Sequence, residues 1–542
     1  MEKGDITPHQ AIGMTKDILF NNSNTLYDLR LQVEFNELSE PPKSLTYNAE
    51  SEPSVLIHPQ LNSLVEPVPF PPARGPGDSY EPPPFLPPTE LDPPVLPSPP
   101  KIQVFDVQLF ETFTKQNPGV KFVHVQWIDY MATVRARIVP MKEFGRLVRS
   151  GERIGISQGN TGTLQNDFIT PIVNPVGQIY VEPDLRSLRL AHKKHTTPSA
   201  TVLSFLRDES GLPIRECPRA NLEALVSDLQ FNHGISLLCG FEIEVTFLTR
   251  DTSNKDQPYS PLTRNHAWGT LTPEQWTKLP ILIEMATALE DIGIDVQQFH
   301  AESGPGQFEF ILEPQTPLKA IDSLIQARQV IAQIAALYSL RATLHPQPFP
   351  GSGTAAHAHI SLTPPKDDIQ FFVGGVLRHL PAICAFTMPE ASSYSRVIDD
   401  HWTGGTWVAW GTQNRETPLR RVKNGRWEVR CLDGFANMYF ALSAIIAAGL
   451  LGLKGQATEF PQKDVPYNPS VLREEQRRLY GIERKMPASV GEALEALKED
   501  AELKEILAEG LVHDFVVMKE CELKMLGEMD DAERRMWLIE RY

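Results

Sequence analysis

Fifteen prolines fall between Pro67 and Pro100. Proline has no backbone N–H and fixes φ, so a stretch this dense neither joins a strand ladder nor sustains a helix. It divides the 542-residue chain into a short front piece and a long globular part, and predicts a disordered linker over residues 36–100. Ahead of it, residues 6–31 read as one helix with a tail. Thr7 is placed to cap it, Pro8 suits the first helical position, and Ala11, Met14, Ile18 and Leu19 follow helical spacing.

From Lys101 the pattern turns globular. Alternation predicts strands over 120–129 and 133–139 and a short helix over 140–148. Further on, helices are expected over 218–231, 273–292 and 317–340, with strands over 240–248, 308–312, 357–362 and 426–430. A helix should begin at Ala436, and the last 55 residues should be mostly helical. The expected fold class is α+β: a small strand-rich N-terminal unit followed by a large mixed one.

Composition excludes several functions. Lys and Arg number 51 against 68 Asp and Glu, a net charge of −17. A general nucleic-acid partner needs clustered cations, and this balance argues against one. The cysteines, Cys217, Cys239, Cys384, Cys431 and Cys521, are odd in number and lack a CxxC, which argues for a reducing compartment over a disulfide framework. The opening residues carry no apolar signal core, and the most apolar run, 441–453, is too short to span a bilayer. A soluble, cytoplasmic protein with no membrane partner is expected.

Four segments carry chemistry. In Gly240-Phe241-Glu242-Ile243-Glu244, period two places Glu242 and Glu244 on one strand face. Such a pair either is solvated or brackets a cation. Glu302 and Glu309 flank a Gly304-Pro305-Gly306 turn, which either folds both back to one point or is a surface turn. His357, His359 and Ser361 share a face by the same period, and imidazoles bind divalent metals or donate to phosphate. Arg426, Glu428 and Arg430 form a third such face, with Arg415 and Arg420 upstream. Arginines in forks clamp phosphate and carboxylate, or merely pair on a surface.

The order and spacing of these segments resemble the glutamine synthetase family, type I branch. The resemblance implies a small β-grasp-like N-terminal domain over 101–209 and a glutamine synthetase-type catalytic domain over 210–542. It implies ATP and two divalent ions, magnesium or manganese, as cofactors. Glu244, Glu302 and Glu309 would hold one ion, and Glu242, His357 and Glu428 the other. His359, Ser361, Arg420 and Arg426 would position the nucleotide. Arg396 and Arg430 would grip a carboxylate substrate, glutamate in the family, and Arg415, Arg420 and Arg430 would serve catalysis. The activity implied is ligation: γ-phosphate transfer to the carboxylate gives an acyl phosphate, which an amine then attacks. The family's site forms between neighbouring subunits, so a homo-oligomeric ring is implied. The front piece, 1–35, resembles the last helix of an amidohydrolase barrel, which fungal fluG-type proteins fuse to such a synthetase domain; it carries none of that barrel's metal ligands.

Three positions depart from the family pattern. Trp402 stands where the family has a flap glutamate that deprotonates ammonium. Gln158 stands near the position of an ammonium-binding aspartate. Residues 351–356, Gly-Ser-Gly-Thr-Ala-Ala, replace the segment that reads the glutamate backbone. These departures imply a ligase for an amine other than ammonia; the alternative is a catalytically silent relative with an oligomeric or regulatory role.

Overall fold

The computed structural model describes residues 104–542, apart from 192–196, 252, 254–257, 364–368, 424 and 456–462. The front helix expected over 6–31 and the linker over 36–100 lie outside the described residues.

The first layer is a six-stranded sheet. It comprises β1 (Phe122–Ile128), β2 (Val134–Pro140), β3 (Ile154–Ser157), β4 (Gln178–Pro183), β5 (Arg189–Leu190) and β6 (Ser199–Arg207), in the order β2-β1-β6-β4-β3 with β5 on β6. Helices α1 (Val104–Gln116) and α2 (Met141–Ser150) cover it, their Phe110 and Phe144 rings meeting edge to face at 5.8 Å. Gly151, at φ 72°, closes α2 in the left-handed region. Strand β6 is buried at every position but Arg207, so it reads as a continuous apolar run without alternation.

The second layer holds a nine-stranded sheet in the order β13-β14-β15-β12-β7-β10-β9, with β8 and β11 also on β7. Its strands are β7 (Ser236–Arg250), β8 (Tyr259–Pro261), β9 (Val296–Ala301), β10 (Gln307–Leu312), β11 (Leu340–Thr343), β12 (Ala358–Thr363), β13 (Trp410–Thr412), β14 (Leu419–Lys423) and β15 (Arg426–Val429). Helices α3 (Pro218–His233), α4 (Pro273–Trp276), α5 (Leu279–Asp291), α6 (Pro317–Leu337), α7 (Ile369–Thr387), α8 (Ala391–Ser395) and α9 (Met438–Gly455) pack around it, and helices recur from Val490 to Arg541. The single helix expected over 273–292 is two. Thr272 caps α4 through a reciprocal bond with Gln275, and Pro280, at the start of α5, lacks the N–H that would continue the turn.

Helix α9 carries the apolar run of 441–453 as a packed helix and extends it at both ends. At 18 residues it is long and apolar enough to cross a membrane, yet 78% of it is buried inside the fold. It is the core's central rod, with Ile445, Ile446 and Leu450 at most 1% exposed; each such side chain contributes roughly 1.5–3 kcal/mol. It crosses α7 through glycines. A Cβ on Gly375 would lie 2.1 Å from the Ala448 carbonyl oxygen, and one on Gly452 2.0 Å from that of Phe371.

The two layers are joined by buried polar contacts. Arg219 of α3 bridges Asp184 and Asp322, at 2.7 Å to each, and is only 4% exposed. Tyr439 donates to Asp322 at 2.6 Å. Asn437 donates to the Asp129 carbonyl, and Gln165 to Glu522.

Candidate active site

Alternation along β7 sends Phe241, Ile243 and Val245 into the core and leaves Glu242 and Glu244 on the opposite face. Register then assembles a row across the sheet. Glu244 stands opposite Glu309 on β10, and Glu309 opposite His300 on β9. On the other side, His359 of β12 stands opposite Glu428 of β15, and Glu428 opposite Arg420 of β14. Directly opposite residues share a face. Apart from His359, the row borders a cavity of about 690 Å³.

Two groups of ligand atoms come together there. Glu242, His357 and Glu428 form one, and His300, Glu302 and Glu309 the other, each with its donor atoms within 4.8 Å of one another. In the first, His357 Nδ1 lies 2.9 Å from Glu242, 3.5 Å from Glu428 and 3.7 Å from Glu244. In the second, His300 Nε2 lies 3.4 Å from Glu302 and 4.0 Å from Glu309. Glu244 sits between them, accepting from the Ala355 N–H at 2.7 Å and from Gln307 at 2.9 Å.

Buried carboxylates dominate the electrostatics of the site. Burial pushes the Glu309 carboxyl up to about 10, and the carboxylates of Glu242, Glu244, Glu302 and Glu428 add to this. Burial raises Glu244 as well. Burial also opposes ionisation of Glu242, but hydrogen bonds with His357 and His359 hold it well below its ordinary value. Oxygen donors with one imidazole per group suit hard divalent cations. A cation reverses the repulsion that otherwise protonates Glu309.

Arginines line one wall. Arg420 donates to Glu428 at 2.8 Å, and Arg430 bonds both Glu428 and, at 2.7 Å, the Trp402 carbonyl. Arg396 is buried, its Nη2 on the carbonyl oxygen of Leu432 at 3.1 Å, while Arg415 is exposed on the rim. His359 bonds Glu242 at 2.7 Å. Ser361 and Arg426 stand opposite each other two residues beyond His359 and Glu428, and neither lines the cavity. Gln158 does not line it either.

Four contributors escape the sequence reading. His300 lies two residues before Glu302, a spacing that gains meaning only once β9 is paired with β10. Gln307 ties Glu244 to the Gly353 carbonyl. Trp268 lies edge to face with His300 at 5.9 Å and is 64% exposed. Glu416 accepts from the N–H groups of Asp400 and Trp402, both at positive φ, and so presets the loop that carries Trp402. The Trp402 ring itself is 70% exposed at the cavity.

Comparison with known proteins agrees with this geometry. Residues 215–537 match the profile "Glutamine synthetase, catalytic domain". Protein fluG of Emericella nidulans is 40% identical over the whole of this chain, which spans 56% of that protein's length. The gamma-glutamylpolyamine synthetase GlnA3 of Streptomyces coelicolor is 28% identical over 76% of this chain and 92% of its own. Among solved structures, one described as a novel glutamine synthase homolog superposes with a TM-score of 0.66 at 25% identity, covering 78% of this chain and 99% of that one. A GmaS/ADP complex shares the fold, with a TM-score of 0.67 at 22% identity, over 79% and 99%. With its two ligand groups and its arginine wall set on that fold, the chain belongs to the glutamine synthetase family.

Proposed function

We propose that this protein is an ATP-dependent carboxylate–amine ligase that forms a γ-glutamyl-type amide with an amine other than ammonia. The observation that carries this reading is the convergence of the two ligand groups on one cavity walled by Arg396, Arg415, Arg420 and Arg430. Glu242, His357 and Glu428 would hold one divalent ion, magnesium or manganese. Glu302, Glu309 and Glu244 would hold the other, with His300 as an added donor. When bound, the ions supply charge neutralisation on the phosphate oxygens.

The chain's own residues do the rest. Arg396 and Arg430 position the carboxylate substrate, taken to be glutamate. Arg415 and Arg420 stabilise the phosphoryl group as it passes from ATP to the γ-carboxylate oxygen, releasing ADP. The amine nitrogen then attacks the acyl carbon, the C–O bond to phosphate breaks, and the amide forms as inorganic phosphate leaves carrying the amine's proton. His359, Ser361 and Arg426 are assigned to the nucleotide, all three reaching it from beyond the cavity wall.

Trp402 supports the choice of amine. An indole has no proton-accepting atom for ammonium, but its face attracts an organic cation or packs an apolar chain. A γ-glutamylpolyamine synthetase among the relatives is in keeping with a larger acceptor. A homo-oligomeric ring, with Gln158 reaching a neighbour's cavity, belongs to the same reading. The bond from Arg430 to the Trp402 carbonyl favours a second reading, a silent relative whose substrate arginine is already occupied. Incubation with ATP, glutamate and a panel of amines, read by mass spectrometry, separates the two. A γ-glutamyl amide with ADP supports the ligase, and no product with any amine supports the silent relative.

A further inference from the structure

A second cavity, of about 360 Å³, lies between the two layers, bordered by the 128–134 segment and Gln165 on one side and by α6 and the 434–439 segment on the other. We propose that it is a binding site for a small organic anion with an apolar, hydroxyl-bearing body, separate from the metal cavity.

Its walls are mostly aliphatic, including Ile128, Ile243, Val245, Ile331 and Leu344. No Asp or Glu is among its described lining residues, whereas Arg328 and Arg541 both are. In a chain of net charge −17, a pocket with cationic side chains and no acidic ones selects for anions.

Arg328 is the anchor. Its Nη1 donates to the Gly434 carbonyl at 3.2 Å, while its Nε and Nη2 are buried without a partner. Asp433 attracts it, but none of its hydrogen bonds among the described residues reaches a carboxylate. Burial pulls it down to about 10. An unpaired guanidinium in an aliphatic setting is costly unless an anion joins it, and a ligand carboxylate meets its fork in two parallel bonds.

The opposite wall supplies acceptors. Gln165 is 4% exposed; its Nε2 is on Glu522, while its Oε1 has no partner. The Thr133 hydroxyl is buried and unpartnered as well. A ligand hydroxyl donating to Gln165 Oε1 satisfies one of these. The volume suits a molecule of one or two rings. Ile243 and Val245 alternate with Glu242 and Glu244 on β7, so the two cavities lie back to back on one strand and do not merge.

The probe is fluorescent hydroxynaphthoate, titrated into the full chain as purified, with a saturating excess of Mg-ATP to fill the nucleotide site. Its neutral amide is the control. Saturable binding of the anion is expected, at least tenfold tighter than the amide and unaffected by Mg-ATP. Arg328→Met should erase the preference for the anion. Ala332 lines the cavity and is exposed on α6, so Ala332→Trp should obstruct both compounds without crowding the core, even if the Arg328 variant fails to fold. Equal binding of acid and amide, displacement by Mg-ATP, or unchanged binding to the Ala332 variant would overturn the proposal.

Discussion

Arg430 donates to the carbonyl oxygen of Trp402 at 2.7 Å, so the residue proposed to grip the substrate carboxylate also fixes the loop that carries the departure from the family pattern. Glu416 holds the same loop through its N–H groups. The indole is thereby presented to the cavity from a fixed backbone.

The loop gives the first prediction. Ammonia should be a poor acceptor, and a larger, less polar amine a good one. Trp402→Glu restores a proton acceptor and should raise ammonia-dependent phosphate release, with Arg430 and Glu416 still setting the backbone. Glutamine formation by the unmutated protein at roughly 1 per second or faster would defeat the proposed preference.

Two ions should be separable by mutation. Glu428→Gln and Glu309→Gln remove ligands from different groups. Manganese titration followed by electron paramagnetic resonance should find two sites in the parent protein and one in each variant. Loss of ATP turnover by about a hundredfold or more is expected from either change. Two intact sites in both variants would refute the assignment.

Arg219 should be indispensable to stability. It lies between Asp184 and Asp322 with both carboxylates buried. Arg219→Met leaves the Asp322 carboxylate buried without a cation, while Asp184 keeps Arg186, at a cost of about 3–5 kcal/mol. Urea unfolding should show it, and a change below 1 kcal/mol would mean the carboxylates find other partners.

His345 should impose an acid limit on the fold. Burial lowers it from the ordinary 6.5 to about 4, helped by Arg535, and its Nδ1 accepts from the Gln347 N–H. Between those values the unfolded chain takes up a proton that the folded one refuses, so stability falls as pH drops from 6.5 towards 4. The contribution is roughly 3 kcal/mol. His345→Asn keeps an acceptor without the titration. The difference in unfolding free energy from urea titrations at pH 7 and pH 4 should shrink by about that amount, and an unchanged difference would exclude His345 as the cause.

Much of the site was legible because period two is a rigid rule. Glu242 with Glu244, and Glu428 with Arg430, could be placed on faces from spacing alone, and sheet register then brought those faces together. His300 was missed because a lone histidine two residues ahead of an acid says little until β9 is paired with β10. His359 and Ser361 obey the same period as His357 yet stand clear of the cavity, because periodicity gives a face but not where along the strand a cavity ends. Strand β6 left no alternating trace, being buried on both sides. The break at Pro280 was readable in principle, but the apolar pattern runs on through it.

Strand β7 has a consequence for synthesis. It pairs with β8, β10, β11 and β12, all of which leave the ribosome after it, and β15, with the last metal ligand, comes later still. At about 5–20 residues per second, the interval from Glu242 to Thr363, the end of β12 and so of the last partner of β7, is on the order of ten seconds. Throughout that time the hub strand has open edges, and an open apolar edge invites pairing with other chains. The nascent protein therefore depends on prompt shielding, by a chaperone or by its own preceding layer, for as long as β7 waits for its partners.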